Sequence, residues 1–222
     1  MGVSSHPAVL FDLDGTLVDT NYLHTQAWYG ALQAAGHDIP AAWIHHRIGM
    51  GGDQLLDELI GPDGHDEVTE GWRTRFRAVR PDAKALAGAG ALLRAIAERG
   101  ARVVIASSSE QDDVDALLDL LDAHGAISEV TTAADVGRAK PAPDVFEVAL
   151  AKVGARPTEA IAVGDSVWDI RAAARAGIPC IGVLTGGIAE PVLLADGAVE
   201  VRKDPVDVAA HLDDGALSLL LR

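Results

Sequence analysis

Six polar residues of the chain are of types that bind phosphate groups and divalent metal ions. Three of them stand directly behind the short apolar runs AVLF, VVIA and AIAVG. The six are Asp12, Asp14, Ser107, Lys140, Asp165 and Asp169. If the apolar runs are neighbouring strands of one sheet, side chains that are far apart in the sequence converge where the strands end.

The four aspartates among them predict a metal site. Carboxylates that converge to within about 4 Å repel one another by several kcal/mol per pair at an effective dielectric constant of about 20, so they need a cation. Oxygen ligands without histidine or cysteine select a hard divalent ion, and Mg²⁺ is the expected one. Lys140 and Ser107 beside such an ion would form a phosphate-binding site, with positive charge from the lysine and a hydrogen bond from the serine.

The elements that must position these residues follow a repeated order from about residue 89 onward. The amphipathic segment AGALLRAIAERG stops at Gly100 and is followed by the apolar run ARVVIA. The order recurs in VFEVALAKVG with AIAVGD, and in DIRAAARAG with IPCIGVLTGG. Helices that alternate with apolar strands predict a doubly wound α/β fold, with a mainly parallel, Rossmann-like sheet and helices on both faces.

A long helical interval separates the first predicted strand, AVLFDLD, from the next one at residues 102–106. It contains TNYLHTQAWYGALQAAG, GGDQLLDELIG and DEVTEGWRTRFRAVR, separated by glycine or proline. This is too long for one crossover connection. We predict a helical cap domain at residues 18–84 and an α/β core formed by residues 1–17 and 85–222.

Composition and charge bear on possible partners. The chain has 18 basic and 33 acidic residues and a net charge of −15, which argues against non-specific binding to nucleic acid or to an anionic membrane. One cysteine excludes an intrachain disulfide framework. The first residues lack the pattern of a secretory signal, and no apolar run reaches the roughly 18 residues of a membrane-spanning helix, so we expect a cytoplasmic protein.

Four motifs give the chain a specific resemblance. In order and approximate spacing, DLDGT, VVIASS, AKPAPD and GDSVWD resemble the four motifs of the haloacid dehalogenase-like superfamily. The resemblance covers nearly the whole chain, including an insert of the right length to be a helical cap. It implies that Asp12 is the nucleophile that becomes an aspartyl phosphate, and that Asp14 is the general acid and base.

The resemblance implies roles for the other motif residues as well. Ser107 and Lys140 match the groups that hold the phosphoryl oxygens, and Lys140 also keeps Asp12 ionised. The metal would be bound by Asp12, the backbone carbonyl of Asp14, Asp165 and, directly or through water, Asp169. The implied activity is that of a Mg²⁺-dependent phosphatase acting on a small phosphate monoester, such as a sugar phosphate or a phosphoglycolate-like compound.

Substrate choice in such enzymes lies in the cap, where His24, Arg47 and Gly49 are our candidate substrate-binding residues. His24 shares a helical face with Trp28 and could equally pack in the cap interior. We expect Arg73, Arg77 and Arg80 to form a solvated basic face. Outside these candidates, Asp19 and Thr20 are expected to cap the first cap helix or act at a hinge, and Ser108 and Ser109 to cap the helix behind Ser107.

Two other functions remain open at this point. A phosphomutase of the beta-phosphoglucomutase type uses the same core, but it must hold a second phosphate, and the loop after Arg47 offers mostly glycine. A phospho-accepting receiver-type signalling domain also combines acidic residues, Mg²⁺, serine or threonine and lysine, but it needs no cap of this size. The expected partner is a small phosphorylated metabolite, while monomer and homodimer stay undecided.

Overall fold

The computed structural model describes residues 7–221. Its strands, in chain order, are β1 (Ala8–Phe11), β2 (Val18–Asp19), β3 (Lys84–Ala85), β4 (Arg102–Ala106), β5 (Ile127–Thr131), β6 (Ala160–Gly164), β7 (Cys180–Val183) and β8 (Glu200–Arg202). Six of them form one sheet in the order β5-β4-β1-β6-β7-β8, and every neighbouring pair in it is parallel. The predicted doubly wound α/β fold is therefore confirmed.

Ten α-helices lie in the described part of the chain. They are α1 (Asn21–Ala34), α2 (Ala41–His45), α3 (Gly52–Ile60), α4 (His65–Val79), α5 (Ala89–Glu98), α6 (Gln111–Leu118), α7 (Asp144–Val153), α8 (Val167–Arg175), α9 (Glu190–Ala195) and α10 (Pro205–Ala210). Four of these helices, α1 to α4, lie between β2 and β3, and the other six connect or follow the strands of the sheet.

Helices pack against the strands on both faces of the sheet, which explains why the strand sequences are unbroken hydrophobic runs. Val9 and Phe11 of β1 belong to one core cluster, which also contains residues of α5 and α10. Leu10 lies in a second cluster on the opposite face, together with Phe146 of α7 and Ile170 of α8. Each of the larger side chains contributes about 1.5–3 kcal/mol on burial, so these layers hold the central strands, and the residues behind them, in place.

The helices between β2 and β3 have an apolar cluster of their own. It includes Trp28 and Leu32 of α1, Ile44 of α2, Leu56 of α3 and Val68 of α4. The chain leaves the core and returns to it side by side, because β2 and β3 pair as an antiparallel ribbon. The predicted boundaries after residues 17 and 84 fall at this ribbon. The division into two domains stays a prediction, and residues 1–6 and 222 of the predicted core lie outside the described residues.

The structure differs from the sequence prediction mainly near the C-terminus. Strand β8 was missed because its residues, Glu200, Val201 and Arg202, are only half-buried at the sheet edge and show no apolar run. Beyond β8, helix α10 is short: it ends at Ala210, and only a 3₁₀ turn follows at Ala216–Leu219. In the described range, no helix is both long and apolar enough to cross a membrane.

Candidate active site

The sequence-predicted core residues meet at the carboxyl edge of three adjacent strands. Asp12 and Asp14 follow β1, Ser107 follows β4, and Asp165 follows β6, which lie side by side in the sheet. The backbone N–H of Asp12 still donates a hydrogen bond to the carbonyl of Val163 at 2.9 Å, so the sheet ladder extends one residue past the strand. This pairing fixes the backbone from which the Asp12 side chain projects.

Three buried carboxylates form an acidic cluster at this edge. Asp12, Asp165 and Asp169 each place one oxygen within 4.8 Å of the oxygens of the other two. Burial, together with the nearby charges of Asp169 and Asp14, raises the pKa of Asp12 to about 7, although Lys140 acts in the opposite direction. Burial and the charges of Asp169 and Asp12 also raise the pKa of Asp165. The cluster therefore has more negative charge than its surroundings compensate.

Lys140 is the cation that the protein itself supplies to this cluster. Its side chain is buried, its Nζ lies 2.7 Å from Oδ1 of Asp169, and it forms a closer ion pair with Asp12. Burial alone would lower the pKa of Lys140, but the two carboxylates raise it, so the ammonium stays charged. One ammonium against three carboxylates leaves a net negative site. A divalent cation bound by carboxylate oxygens fits this donor set.

Two residues not singled out from the sequence hold the cluster in position. The Thr16 hydroxyl lies 3.1 Å from Oδ1 of Asp165 and 3.3 Å from Oδ2 of Asp12. Asn21 donates from Nδ2 to Oδ2 of Asp165 at 2.6 Å. Thr16 stands within the DLDGT motif and could have been found there, whereas nothing in the pattern around Asn21 pointed to Asp165.

Asp169 is fixed by the start of α8. The Ser166 hydroxyl donates to Oδ2 of Asp169 at 2.5 Å, and the Ser166 N–H donates to the same oxygen at 3.1 Å. With the hydroxyl of Ser166 also close to the N–H of Asp169, the two residues form a capping box at the helix N-terminus. The cap orients the carboxylate so that its other oxygen faces Lys140.

Two positions require glycine because a neighbouring side chain lies too close for a Cβ atom. Gly186, in the turn after β7, packs so tightly against Asp165 that a Cβ atom there would overlap the carboxylate. Gly15 has φ +77°, and a Cβ atom there would meet the Asn21 side chain at 2.5–2.6 Å. Both glycines therefore leave room for the side chains that form and support the acidic cluster.

Asp14 lies only two residues from Asp12, but its side chain has a different environment. Its carboxylate accepts hydrogen bonds from Thr20 at 2.7 Å and Ser109 at 3.1 Å, and Nε2 of His24 lies 3.1 Å from it. Burial would raise the pKa of Asp14, but the charge of His24 and the three hydrogen bonds outweigh it and lower the pKa to about 2. Asp14 thus faces donors from the cap side, Thr20 and His24, and from the loop after β4, Ser109.

These contacts change three expectations from the sequence. Thr20 stands at the N-cap position of α1, but its hydroxyl makes no capping hydrogen bond and binds Asp14. Ser109 is not a helix cap, because its hydroxyl donates to Asp14 and Glu110 stands at the N-cap position of α6. Asp19 is exposed in β2 and belongs to neither the acidic cluster nor a helix cap.

A cavity of about 550 Å³ opens beside Asp12 and Asp14. Its core side contains Asp12, Asp14, Ser107 and Lys140, and its cap side includes the following residues: His24, Trp28, Gly49, Gln54, Trp72 and Arg73. Ser107 is buried, and its Oγ accepts the N–H of Ser109 at 3.1 Å. The cavity thus places four predicted core residues and two cap candidates, His24 and Gly49, around one space.

Arg47, the third cap candidate, is placed differently. It does not line this cavity. Its Nε lies 2.9 Å from Oε2 of Glu58, and its Nη1 donates to the carbonyl of Trp43 at 2.9 Å. These contacts within the cap hold the guanidinium away from the acidic cluster, so the structure does not bring Arg47 to the site.

The three arginines expected to form a solvated basic face are partly exposed, but they also form ion pairs with residues at the start of α6. Arg73 donates from Nε to Oε1 of Glu110 at 2.9 Å, and Nη2 of Arg77 lies 3.9 Å from the other Glu110 oxygen. Arg80 forms an ion pair with Asp113. Arg73 and Arg77 of α4, and Arg80 directly after it, therefore connect this part of the chain to the beginning of α6. The sequence could not reveal these contacts with α6, because Glu110 and Asp113 lie more than 30 residues from the arginines, for example 37 residues between Arg73 and Glu110. Within α4, Arg73 also pairs with Glu70 at 3.5 Å.

Comparison with known proteins assigns the family. The family model for haloacid dehalogenase-like hydrolases matches residues 6–177. The chain belongs to this family. The match covers most of the chain and includes all six motif residues, so the resemblance seen in the sequence is confirmed. It gives no support to a receiver-type signalling domain.

Individual relatives agree with this assignment. The chain is 34% identical over 185 residues to the pyrophosphatase PpaX of Anoxybacillus flavithermus, covering 79% of this chain and 82% of that one. It is 29% identical over 197 residues to the validoxylamine A 7'-phosphate phosphatase of Streptomyces hygroscopicus subsp. limoneus, covering 86% and 92%. A hydrolase from Pseudomonas syringae superposes with a TM-score of 0.88 at 33% identity, covering 94% of this chain and 98% of that one. The chain is thus a haloacid dehalogenase-like enzyme.

Proposed function

We propose that the chain is a Mg²⁺-dependent phosphatase that hydrolyses a small phosphate monoester through an aspartyl phosphate on Asp12. The observation that carries this proposal is the buried cluster of Asp12, Asp165 and Asp169 beside the Lys140 ammonium, of which Asp12 and Lys140 also line a cavity. The names of the relatives, one a pyrophosphatase and one a validoxylamine A 7'-phosphate phosphatase, agree with phosphoryl transfer to water.

In the first half-reaction, a carboxylate oxygen of Asp12 attacks phosphorus, and the bond between phosphorus and the leaving oxygen breaks. Asp14 donates a proton to that oxygen, so the product leaves as an alcohol. Lys140 and the Ser107 hydroxyl hold the phosphoryl oxygens, since both groups face the same space as Asp12. Phosphoryl transfer depends chiefly on such positioning and charge compensation.

In the second half-reaction, water attacks the phosphorus of the aspartyl phosphate, and the bond from Asp12 to phosphorus breaks. Asp14, now ionised, accepts the proton of that water. The low pKa of Asp14 suits this base role, because its three donors stabilise the carboxylate. Phosphate bound next to Asp14 would add negative charge and favour the protonated form that the first half-reaction needs.

A bound Mg²⁺ would supply positive charge that neutralises the acidic cluster and the phosphoryl oxygens. Asp12, Asp165, Asp169 and the backbone carbonyl of Asp14 are the residues that would hold it. Thr16 and Asn21 orient Asp165 for this purpose, and the Ser166 capping box orients Asp169. The raised pKa values of Asp12 and Asp165 are the expected sign of a site built for a cation.

The substitution Asp12→Asn tests the proposal directly. The variant should fold normally and lose at least 10³-fold in kcat toward an aryl phosphate in Mg²⁺, because an amide oxygen cannot form the covalent intermediate. Release of the aryl alcohol measures the rate, and Asp213→Asn, a charge-matched change at a strongly exposed aspartate, is the control. Turnover that persists in Asp12→Asn protein freed of contaminating phosphatase would refute the nucleophile assignment.

A phosphomutase of the beta-phosphoglucomutase type is the second candidate. The observation in its favour is that Arg73 and Arg138 line the cavity, where they could face a second phosphate. Arg73 is already paired with Glu110, and Arg138 with Asp144. A second phosphate would have to displace one of these carboxylates, which favours the phosphatase. Products from glucose 1-phosphate decide between them: free phosphate supports hydrolysis, whereas isomerised sugar phosphate without free phosphate would reverse this order.

The expected setting of the enzyme rests on charge and composition. We propose a small phosphorylated metabolite as its partner and the cytoplasm as its location. The net charge of −15 disfavours nucleic acid and anionic membranes as partners. Monomer and homodimer are both compatible with the proposed reaction.

A further inference from the structure

Asp165, one of the three clustered carboxylates, is held by two different parts of the chain. Thr16 donates to its Oδ1 at 3.1 Å from the loop between β1 and β2. Asn21 donates to its Oδ2 at 2.6 Å, and Asn21 is the first residue of α1. Helix α1 begins the helical segment between β2 and β3, which has an apolar cluster of its own. Asp165 is therefore oriented both from the sheet and from the segment that the sequence predicts to be a cap.

The Asn21 side chain is buried and has one unpaired polar atom. Its Nδ2 is the atom that faces the ionised form of Asp165, because an ionised carboxylate only accepts hydrogen bonds. Its Oδ1 is also buried, and no group in the described part of the chain donates a hydrogen bond to it. Buried polar atoms without a partner are uncommon in native proteins. Next to a proposed metal ligand, this oxygen is suited to accept a hydrogen bond from a water molecule on the ion, because that water presents only its hydrogens.

The turn after β7 connects the helical segment to the same carboxylate from another direction. Gly186 of this turn packs directly against Asp165. Nε2 of His45, in α2, lies 3.0 Å from the carbonyl oxygen of Gly186. The ring of Tyr22, in α1, is stacked on His45 with the centroids 4.8 Å apart. Both α1 and α2 therefore contact groups that touch Asp165, so a displacement of the segment would disturb this residue.

The hydrogen bond from Asn21 is sensitive to small movements of α1. At 2.6 Å it is short, and a shift of about 1 Å would lengthen it beyond the roughly 3.5 Å at which such a bond is lost. Residues that orient a metal ligand typically change the metal affinity by about 10- to 100-fold when they are removed. Conversely, an ion that fixes Asp165 would also fix Asn21 and the start of α1, because coupling between two binding equilibria is reciprocal.

We propose, on the basis of the Mg²⁺ site in the proposed function, that Asn21 is a positioning residue that makes metal binding and the seating of α1 on the core depend on each other. Its Nδ2 orients Asp165 for the ion, and its Oδ1 accepts a hydrogen bond from a water molecule on the ion. Mg²⁺ thus stabilises α1 in its position beside the core, and the site binds the ion less tightly when α1 is displaced. His24 and Trp28 of the same helix line the cavity, so metal binding also orders part of the cavity wall.

Asn21→Leu tests the effect on metal affinity. Leucine has a similar size but neither a donor nor an acceptor, so the Kd for Mg²⁺, measured by isothermal titration calorimetry without substrate, should rise by about tenfold or more. Asn21→Ala adds no bulk next to Gly15 and should raise the Kd in the same direction, also where leucine prevents folding. Thr25→Val is the matched control with an unchanged Kd, because its buried hydroxyl bonds to the Asn21 carbonyl and not to the acidic cluster. An unchanged Kd in the folded Asn21 variants would overturn the proposal.

Hydrogen exchange tests the link to the helix. In the unmodified protein, saturating Mg²⁺ should slow amide exchange in the first turns of α1 by at least about threefold, and in Asn21→Leu it should not. Thr16→Val is the comparison variant, since it removes the donor to the other oxygen of Asp165 but lies outside α1. It should weaken Mg²⁺ binding and still show the slower exchange in α1 at saturation. Equal slowing in Asn21→Leu and the unmodified protein, or none in either, would show that Asn21 does not link the ion to the helix.

Two measurements on the unmodified protein separate failure of this inference from failure of the proposed function. If Mg²⁺ does not bind, both fail. If Mg²⁺ binds but p-nitrophenyl phosphate is not hydrolysed, the phosphatase proposal fails, and the Asn21 variants still decide whether the ion and the helix are linked. If hydrolysis occurs in Mg²⁺ but the Asn21 variants keep the affinity and the exchange pattern of the unmodified protein, only the role of Asn21 is overturned.

Discussion

Asp12 and Asp14 stand two residues apart in one motif, yet their surroundings act in opposite directions. Asp12 faces two other carboxylates and a lysine, and its pKa is raised to about 7. Asp14 faces three hydrogen-bond donors from the cap side and the loop after β4, and its pKa is lowered to about 2. In the proposed mechanism, this difference separates cation and phosphate binding from proton transfer, because the two neighbouring side chains face different partners.

The largest effect that would test this separation is expected from Asp14→Asn. The variant should lose about 10²- to 10⁴-fold in kcat toward a sugar phosphate, because no group then donates a proton to the leaving oxygen. Its thermal stabilisation by Mg²⁺ should be retained, since the Asp14 side chain lies outside the acidic cluster. Steady-state kinetics and thermal unfolding measure the two effects, and loss of the Mg²⁺ response would contradict the separation.

An intermediate effect is expected when the metal or one of its carboxylates is removed. At a Mg²⁺ concentration about one hundred times its Kd, the Tm of the unmodified protein should rise by about 5–10 °C, and EDTA should reverse the rise. Asp165→Asn should abolish most of this rise, whereas the exposed Asp213→Asn should keep it. An undiminished response in Asp165→Asn would mean that the ion binds elsewhere.

The smallest effect is expected from Thr20→Val, which removes one donor from Asp14. The pKa of Asp14 should rise from about 2 toward its ordinary value of 3.8, because its ionised form loses a hydrogen bond. A carboxyl with a depressed pKa stabilises the fold above its unfolded pKa and loses that contribution as the pH falls through the folded pKa. The free energy of unfolding should therefore drop by about 1–2 kcal/mol at pH 6 and by less near pH 2.

Urea unfolding at the two pH values measures this difference. Thr25→Val is a suitable control, because its hydroxyl bonds to the backbone carbonyl of Asn21 in the same helix, away from Asp14. A loss in Thr20→Val that is the same at both pH values would show that the hydroxyl stabilises α1 and not the Asp14 carboxylate.

Much of the fold could be predicted because its signals are local. Each central strand is buried on both faces and therefore reads as an apolar run, and glycine marks the end of α5 and α7. Because the carboxyl ends of β1, β4 and β6 meet, the strand-end residues could be assigned to one place before the strand order was known. Strand β8 was not predicted because this half-buried edge strand has neither an apolar run nor a glycine at its end.

The remaining site residues could not be predicted because their partners depend on the tertiary fold. Thr16 and Asn21 support Asp165, which lies 149 and 144 residues away, and no periodic pattern records such a contact. For the same reason Arg73 was assigned to solvent, although it pairs with Glu110 across the cap and core. Polar residues at helix starts were taken as caps, the commonest local role, whereas Thr20 and Ser109 bind Asp14.

The ribbon of β2 and β3 has a consequence for how this architecture can be modified. Val18 pairs with Ala85 and Asp19 with Lys84, so the two ends of the intervening helical segment lie next to each other. A segment attached in this way can be exchanged for another helical insert of different length without any change in the order of the six sheet strands. Such an exchange would have to keep the start of the segment, because Thr20 and His24 contact Asp14 and Asn21 donates to Asp165.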